Sequence, residues 1–293
     1  MNRRKQTFLL FLFLVAALPA FTQPGYPQQY KEWRKKRIEA LKAENGWLNL
    51  VGLLWLEHGK NTFGSGSNNH LVFPPESIPK YAGYFQRNGD SVTLVTADKV
   101  NITINGIPVK NTLLLANDSS VSPVCAYRSL RWTIIKRGER MGIRLRDLNS
   151  PAVKNFHDIA IYPLRDSWKI TATLHTENIP ATIPITNVLG QTSEQKVAGR
   201  LTFKINNTEY SLDALEEDGE LFIIFADATN KKETYPSGRF LYAVKPAPGG
   251  TTVLDFNKAI NPPCAFTPYA TCPLPPRQNR LPVAITAGEK RAH

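Results

Sequence analysis

Two periodicities divide the chain. Over "YKEWRKKRIEALKAENG", Tyr30, Trp33, Ile38 and Leu41 recur at helical spacing and define one apolar face. Asn45-Gly46 follows, where a glycine in the left-handed conformation closes a helix. The preceding "QPGYPQQ" reads as a linker by composition. From Trp47 onward the period drops to two. "GWLNLVGLLWLEHG" is strand-like and turns at His58-Gly59, and "VNITINGIPVKNTLLL" places Asn105-Gly106 between β-branched runs. Asn-Gly supplies the two positive φ angles of a two-residue hairpin loop. "LRWTIIKRGERMGIRLRD" predicts another hairpin, turning at Arg137-Gly138-Glu139.

Further strands fall in "SWKITATLHT" and "GRLTFKINNTEYSL". "GELFIIFAD", "GRFLYAV" and "TTVLDFN" read as a three-stranded meander. Short strands with turn-rich joints and no alternating helices give a mainly β fold, an antiparallel sandwich or barrel with one N-terminal helix. Polar turn residues in "DLNSPAVKNF" mark a boundary. The expected layout is a signal peptide at 1–22, linker and amphipathic helix at 23–46, an N-terminal β domain at 47–150, and a C-terminal barrel-like domain at 151–293 with a Pro-rich Cys loop. Continuous packing of the two β parts into one body is equally allowed.

The first residues alter the picture. "MNRRK" followed by the apolar run Phe8–Phe21 has the form of a secretory signal, with the cut expected at Thr22/Gln23. A retained signal anchor is the alternative reading. An exported, secreted or periplasmic protein follows, touching the membrane only through that segment before cleavage. The formal charge of +12 falls to +9 once residues 1–22, with three basic groups and no acid, are removed. Nucleic acid is not the expected partner outside the cytoplasm. Such a charge matches acidic polysaccharide or an anionic surface, or serves solubility alone.

Common catalytic signatures do not occur: no Gly-x-Ser-x-Gly, His-Glu-x-x-His, Cys-x-x-Cys, phosphate loop or dinucleotide fingerprint. The five histidines show no ligand spacing, so neither a metal nor a cofactor is expected. "GSGSNN" at Gly64 reads as a turn. On the basic hairpin, Arg144 and Arg146 share one face and Ile143 and Leu145 the other, as on any half-exposed strand. Of three cysteines, Cys264 and Cys272 lie close enough to close a loop, leaving Cys125 as a buried apolar residue. A disulfide there would contribute roughly 2–3 kcal/mol. The rival reading makes Cys264 a nucleophile.

Candidate binding residues gather in the C-terminal third. If the turn in "KPAPGG" centres near Pro248, Leu241 pairs with Asp255 and Arg239 with Asn257, which sets Arg239 diagonally beside Asp255. Asp227, ending the preceding strand, is either an Asx-turn cap or a second carboxylate near Arg239.

The blocks "GWLNLVGLLWLEHG", "FADATNKKETYPSGRFL", "LDFNKAINPPCAFTPYATCPLPPRQNRL" and "ITAGEK" resemble those of the domain-of-unknown-function family numbered 1684. The resemblance covers most of the chain after the signal and implies no activity, because that family has none assigned. It marks Asp227, Thr229, Tyr235, Gly238, Arg239, Asp255, Asn257, Asn261, Cys264, Cys272, Asn279 and Glu289. Asn230 stands where the family often has glycine, and Ile260 where it often has an aromatic residue.

Three readings follow. In the first, a small polar or anionic ligand occupies a C-terminal pocket lined by Asp227, Arg239, Asp255, Asn257, Asn261 and Glu289. In the second, Asp227, Asp255 and Glu289 act as acid and base of an extracellular hydrolase. In the third, the protein is a structural or partner-binding part of the envelope.

Overall fold

The chain is described from a computed structural model covering residues 25–116 and 122–291. The expected signal segment and its cut at Thr22/Gln23 lie outside those residues. The helix α1 spans Tyr26–Lys42, four residues earlier than the apolar spacing predicts. Pro27 permits this, since a first-turn N–H has no intrahelical partner to lose. At the other end Gly46 is needed for a different reason from the one expected. It is not left-handed; instead, a Cβ there would sit 2.3 Å from the Leu41 carbonyl oxygen. The chain folds back on the helix, and Leu48 N–H bonds the Leu41 carbonyl at 3.2 Å.

Eleven strands follow: β1 (Leu50–Leu56), β2 (Gly59–Gly64), β3 (Leu71–Val72), β4 (Gly83–Asn88), β5 (Ser91–Thr96), β6 (Thr103–Ile104), β7 (Ile107–Pro108), β8 (Asn111–Leu115), β9 (Cys125–Tyr127), β10 (Leu130–Arg137) and β11 (Arg140–Asp147). They form two sheets, ordered β1-β11-β10-β9-β6-β7 and β3-β2-β4-β5-β8. Between the sheets Phe63, Phe73, Phe85 and Trp132 pack ring against ring. The Asn105-Gly106 loop is as expected, with φ of 51° and 78° and Ile104 opposite Ile107. Arg137 pairs with Arg140, so the next hairpin turns on Gly138-Glu139 alone. Ile143 and Leu145 face the core, while Arg144 and Arg146 lie on the other side.

A short helix, α2 (Pro151–Asn155), crosses the expected boundary. Ser150 caps it by accepting Val153 N–H and donates to the Leu48 carbonyl. The remaining strands are β12 (Lys169–His175), β13 (Thr182–Thr186), β14 (Thr192–Ile205), β15 (Thr208–Glu217), β16 (Glu220–Phe225), β17 (Arg239–Val244) and β18 (Thr251–Asp255). Their sheet runs β17-β16-β15-β14-β12-β18, with β13 beside β14, and curls into a nearly closed barrel. The fold is mainly β and antiparallel with one principal helix, as the pattern predicts.

The predicted meander is wrong in its last step. β16 pairs with β17, but β18 pairs with β12, and β17 and β18 are the two facing edges of the barrel. Asp255 therefore lies opposite Lys169, not beside Arg239. The reason lies in the connection. Pro246 and Pro248 offer no N–H to a tight hairpin, and Gly249 and Gly250 bond instead to Leu174 at the end of β12. An open seam is left between β17 and β18.

The barrel core includes Phe203, Phe225, Leu241, Leu254 and Phe256, and it is completed by Leu281, Ile285 and Ala287 from the irregular C-terminal segment. A second apolar layer covers β16 and β17 from outside, where Ala270 and Cys272 meet Phe240 and Ile224 with Trp47 against them.

Candidate functional site

The six expected site residues fall into three clusters rather than one. The first lies at the end of the β16–β17 pair, where Phe225 stands opposite Arg239. Gly238 admits the turn into β17: its φ is +95°, and a Cβ would lie 2.4 Å from Pro275 Cγ. The Arg239 side chain is fully buried. Its Nη2 donates to Asp227 Oδ2 at 2.8 Å and to the Ile285 carbonyl at 2.9 Å, and its Nη1 to the Ala287 carbonyl. Asp227 Oδ1 accepts from Thr229 N–H at 2.9 Å, Thr229 Oγ1 at 2.6 Å and Ile285 N–H at 3.1 Å. The ion pair thus sews the C-terminal segment into the barrel, and its hydrogen bonds leave the Asp227 carboxylate no free oxygen.

The second cluster caps β18. Tyr26, on the first turn of α1, donates its hydroxyl to both oxygens of Asp255, at 2.8 and 2.9 Å. Asn257 Nδ2 adds a bond to Asp255 at 3.0 Å and another to the Arg165 carbonyl, while its Oδ1 accepts Arg165 N–H. Burial, then the bond to Asp255, then the charge of Asp255 push the Tyr26 hydroxyl far above the usual phenol range. That proton stays in place throughout physiological pH.

The third cluster holds Glu289 against α1. Arg37 Nε donates to its Oε1 at 3.0 Å, Asn261 N–H donates to its Oε2 at 2.6 Å, and Arg37 Nη2 reaches the Asn261 carbonyl at 3.0 Å. Asn261 Nδ2 bonds the Lys290 carbonyl at 2.8 Å.

The three carboxylates are therefore tied separately. Among the described residues, Asp255 reaches a large cavity. Between α1 and the seam lies a groove of about 740 Å³, with Asp255 in its floor and Trp33, Lys36, Lys169 and Tyr242 among its walls. Sequence reasoning missed these four. The signal was present in α1, where Trp33 lies among lysines and arginines, but the face reads equally as packing over a solvated surface. Lys169 lies over the Tyr26 ring at 4.0 Å. Lys258 leans to Asp255 at 3.7 Å. Lys36 has no carboxylate partner among the described residues.

The expected Cys264–Cys272 disulfide is not formed, and both residues are free thiols, as is Cys125. The nine-residue loop does bring them together. Each backbone N–H points at the other's sulfur, Cys264 N to Cys272 Sγ at 3.0 Å and Cys272 N to Cys264 Sγ at 3.4 Å. Those bonds satisfy the loop with the sulfurs unjoined. Asn279, marked by the resemblance, is buried and bridges β15 to β16 through the Asp213 and Ile224 carbonyls. Its role is structural.

The family described as "Protein of unknown function (DUF1684)" matches residues 154–290. The span contains each block of the resemblance except "GWLNLVGLLWLEHG". Among solved structures, an uncharacterized protein of Haloarcula marismortui, determined by solution NMR, is similar at 27% identity over 47% of this chain and 78% of its own, with a TM-score of 0.40. Two structures of FHA domains are each 18% identical over 32% of this chain, with TM-scores of 0.22. One comes from work on phosphothreonine-dependent FHA domain interactions, and the other is the FhaA FHA domain complexed with the intracellular domain of Rv3910; 92% and 97% of those chains are covered. At these scores the likenesses say nothing of ligand or activity. No curated protein matches. The family model thus supports the resemblance to DUF1684, proteins of unknown function, over residues 154–290, a little under half of the chain.

Proposed function

We propose that the protein is an exported binding protein that holds a small amphipathic organic anion in the groove between α1 and the barrel seam. The observation that carries this reading is Lys36, a cation with no carboxylate partner among the described residues, which lines a cavity of ligand size together with Trp33. Trp33 and the ring of Tyr242 offer apolar surface, and Lys36 and Lys169 offer charge to an acidic head group. Asp255 shapes the floor by holding Tyr26 and is not itself the ligand's partner. The site thus differs from the six-residue set expected from sequence: Asp227, Arg239, Asn257, Asn261 and Glu289 do not line the groove, although Asn257 and Glu289 bond Tyr26 and Arg37, which do.

Anilinonaphthalene sulfonate, an amphipathic anion, provides the test. Saturable fluorescence binding to the folded chain is expected, weakened about tenfold in Lys36→Glu, which corresponds to ~1.4 kcal/mol. Binding that is unchanged by Lys36→Glu would remove the groove from the reading. N-terminal sequencing of the protein made in cells tests export, with Gln23 expected as the first residue. The hydrolase reading has less support, since hydrogen bonds occupy both oxygens of Asp227 and of Glu289.

A further inference from the structure

The Cys264–Cys272 loop has no part in the groove, and its geometry has a chemistry of its own. The reciprocal N–H to sulfur bonds set both thiols on the inside of one turn. As a thiol, Cys264 also donates to the Ala270 carbonyl at 3.5 Å. The frame around them is fixed from outside. Thr267 Oγ1 donates to the Leu50 carbonyl at 3.0 Å, Arg137 Nε donates to Thr271 Oγ1 at 3.2 Å, and Val188 N–H bonds the Cys272 carbonyl at 3.0 Å. The sulfurs meet without the loop having to search for the pairing.

The two thiols differ. Cys264 is half-buried and Cys272 is buried. A hydrogen bond from the Cys272 thiol to the Cys264 sulfur favours the thiolate at Cys264, whose pKa is lowered to about 7 against the opposing effect of burial. The same bond, with burial, pushes Cys272 up. The charged and titratable groups that face the pair are Arg144, Tyr235 and, beyond Arg144, Arg137 and Arg146. Arg144 lies over the Trp47 ring at 5.3 Å, and its buried Nε has no hydrogen-bond partner among the described residues. Trp47 itself packs against this apolar layer. An uncompensated cation thus stands beside two sulfurs at the contact between the sandwich and the barrel.

We propose that Cys264 and Cys272 form a thiol–disulfide exchange site, with Cys264 the attacking sulfur, Cys272 the resolving sulfur and a small organic disulfide as the substrate class. Cys264 thiolate attacks one sulfur of the disulfide and forms a mixed disulfide. The first organic thiolate leaves and takes a proton from water. Cys272 then gives its proton to solvent and attacks the Cys264 sulfur. An intraloop disulfide forms, and the second organic thiolate leaves and is protonated. The loop loses two electrons and two protons, and the substrate becomes two thiols. Arg144 is a positioning residue, which holds the charge of Cys272 during the second step. The proposal is independent of the groove, and anion binding can fail while it stands.

The test uses the full reduced chain and oxidised glutathione, read by peptide mass spectrometry. Wild type is expected to gain the Cys264–Cys272 link and lose two hydrogens. Cys125 stays free, since it is fully buried and its thiol is pushed up to about 12 by burial. Cys272→Ser stops at a glutathione adduct on Cys264, whereas Cys264→Ser gives no adduct on Cys272. Arg144→Gln leaves adduct formation in the Cys272→Ser background unchanged but slows ring closure in the otherwise wild-type chain. Equal adducts in the two serine variants, or no link in folded wild type under excess oxidant, overturn the assignment. If a serine variant fails to fold, brief iodoacetamide labelling of wild type against pH decides. Labelling of Cys264 with a midpoint near 7 and little at Cys272 is expected. Equal labelling of both with a midpoint near the ordinary 9 overturns it.

Discussion

Replacing Asp227 with alanine is the sharpest probe of the polar set, because the structural and the binding readings assign that residue different roles. Both side chains of the Asp227–Arg239 pair are fully shielded from water. Removing the carboxylate leaves a guanidinium buried without its counter-charge, which costs about 3–5 kcal/mol. The Thr229 and Ile285 N–H groups also lose their acceptor. At ~2–4 °C per kcal/mol for a unit of 150–250 residues, the melting point should fall by roughly 6–20 °C. In urea, with a slope of ~2 kcal/mol per molar, the midpoint should drop by about 2 M. Hydrogen exchange at amides of β16 and β17 locates the loss, which should not extend to β10 and β11. Asp227→Leu with Arg239→Met removes both charges together and should be less destabilised than Asp227→Ala alone, the sign of a coupled pair. A cost for Asp227→Ala below ~1 kcal/mol, or a double variant that loses the sum of its singles, would refute the assignment of a buried staple.

Two further outcomes follow from the geometry. Tyr26→Phe deletes the hydroxyl that Asp255 accepts, and a hydrogen bond to a charged group is worth ~1.5–3 kcal/mol; limited trypsin digestion should cut at Lys31 or Lys35 faster, while exchange in the barrel stays as in wild type. Gly238→Ala must hold a φ of +95° with a Cβ 2.5 Å from the Phe225 carbonyl oxygen, so urea unfolding should show a loss above ~1 kcal/mol.

Local chemistry was the legible part of the fold. Asn105-Gly106 and the alternation of Ile143 to Arg146 follow from positive φ and the period of two, and both stand in the structure as read. The partner of β18 was not legible. A strand's neighbour is set by where its connection leads, and here two prolines and the carbonyl and N–H of Leu174 decide it from a distance. The candidate site divided along the same line. Polar residues at Asp227, Arg239, Asp255 and Glu289 announce hydrogen-bond networks wherever they are buried, but the pattern cannot say with whom they pair. Asp227 does meet Arg239, one of the two roles read for it, but the partners of Glu289 and Asp255 are Arg37 and Tyr26, on a helix whose apolar spacing suggested only packing. The groove was invisible for the same reason, since its walls come from residues more than two hundred positions apart.

The clasp of α1 on the barrel bears on how the chain matures. Tyr26 waits for a partner 229 residues later, and Arg37 for one 252 residues later. During synthesis the helix is finished long before Asp255 and Glu289 exist, so neither clasp can close on the ribosome until those residues have emerged. Early in that interval the helix is a basic segment without its dock. The two clasps thus close after the helix and the strands between have been made, and they tie the helix to residues more than two hundred positions away.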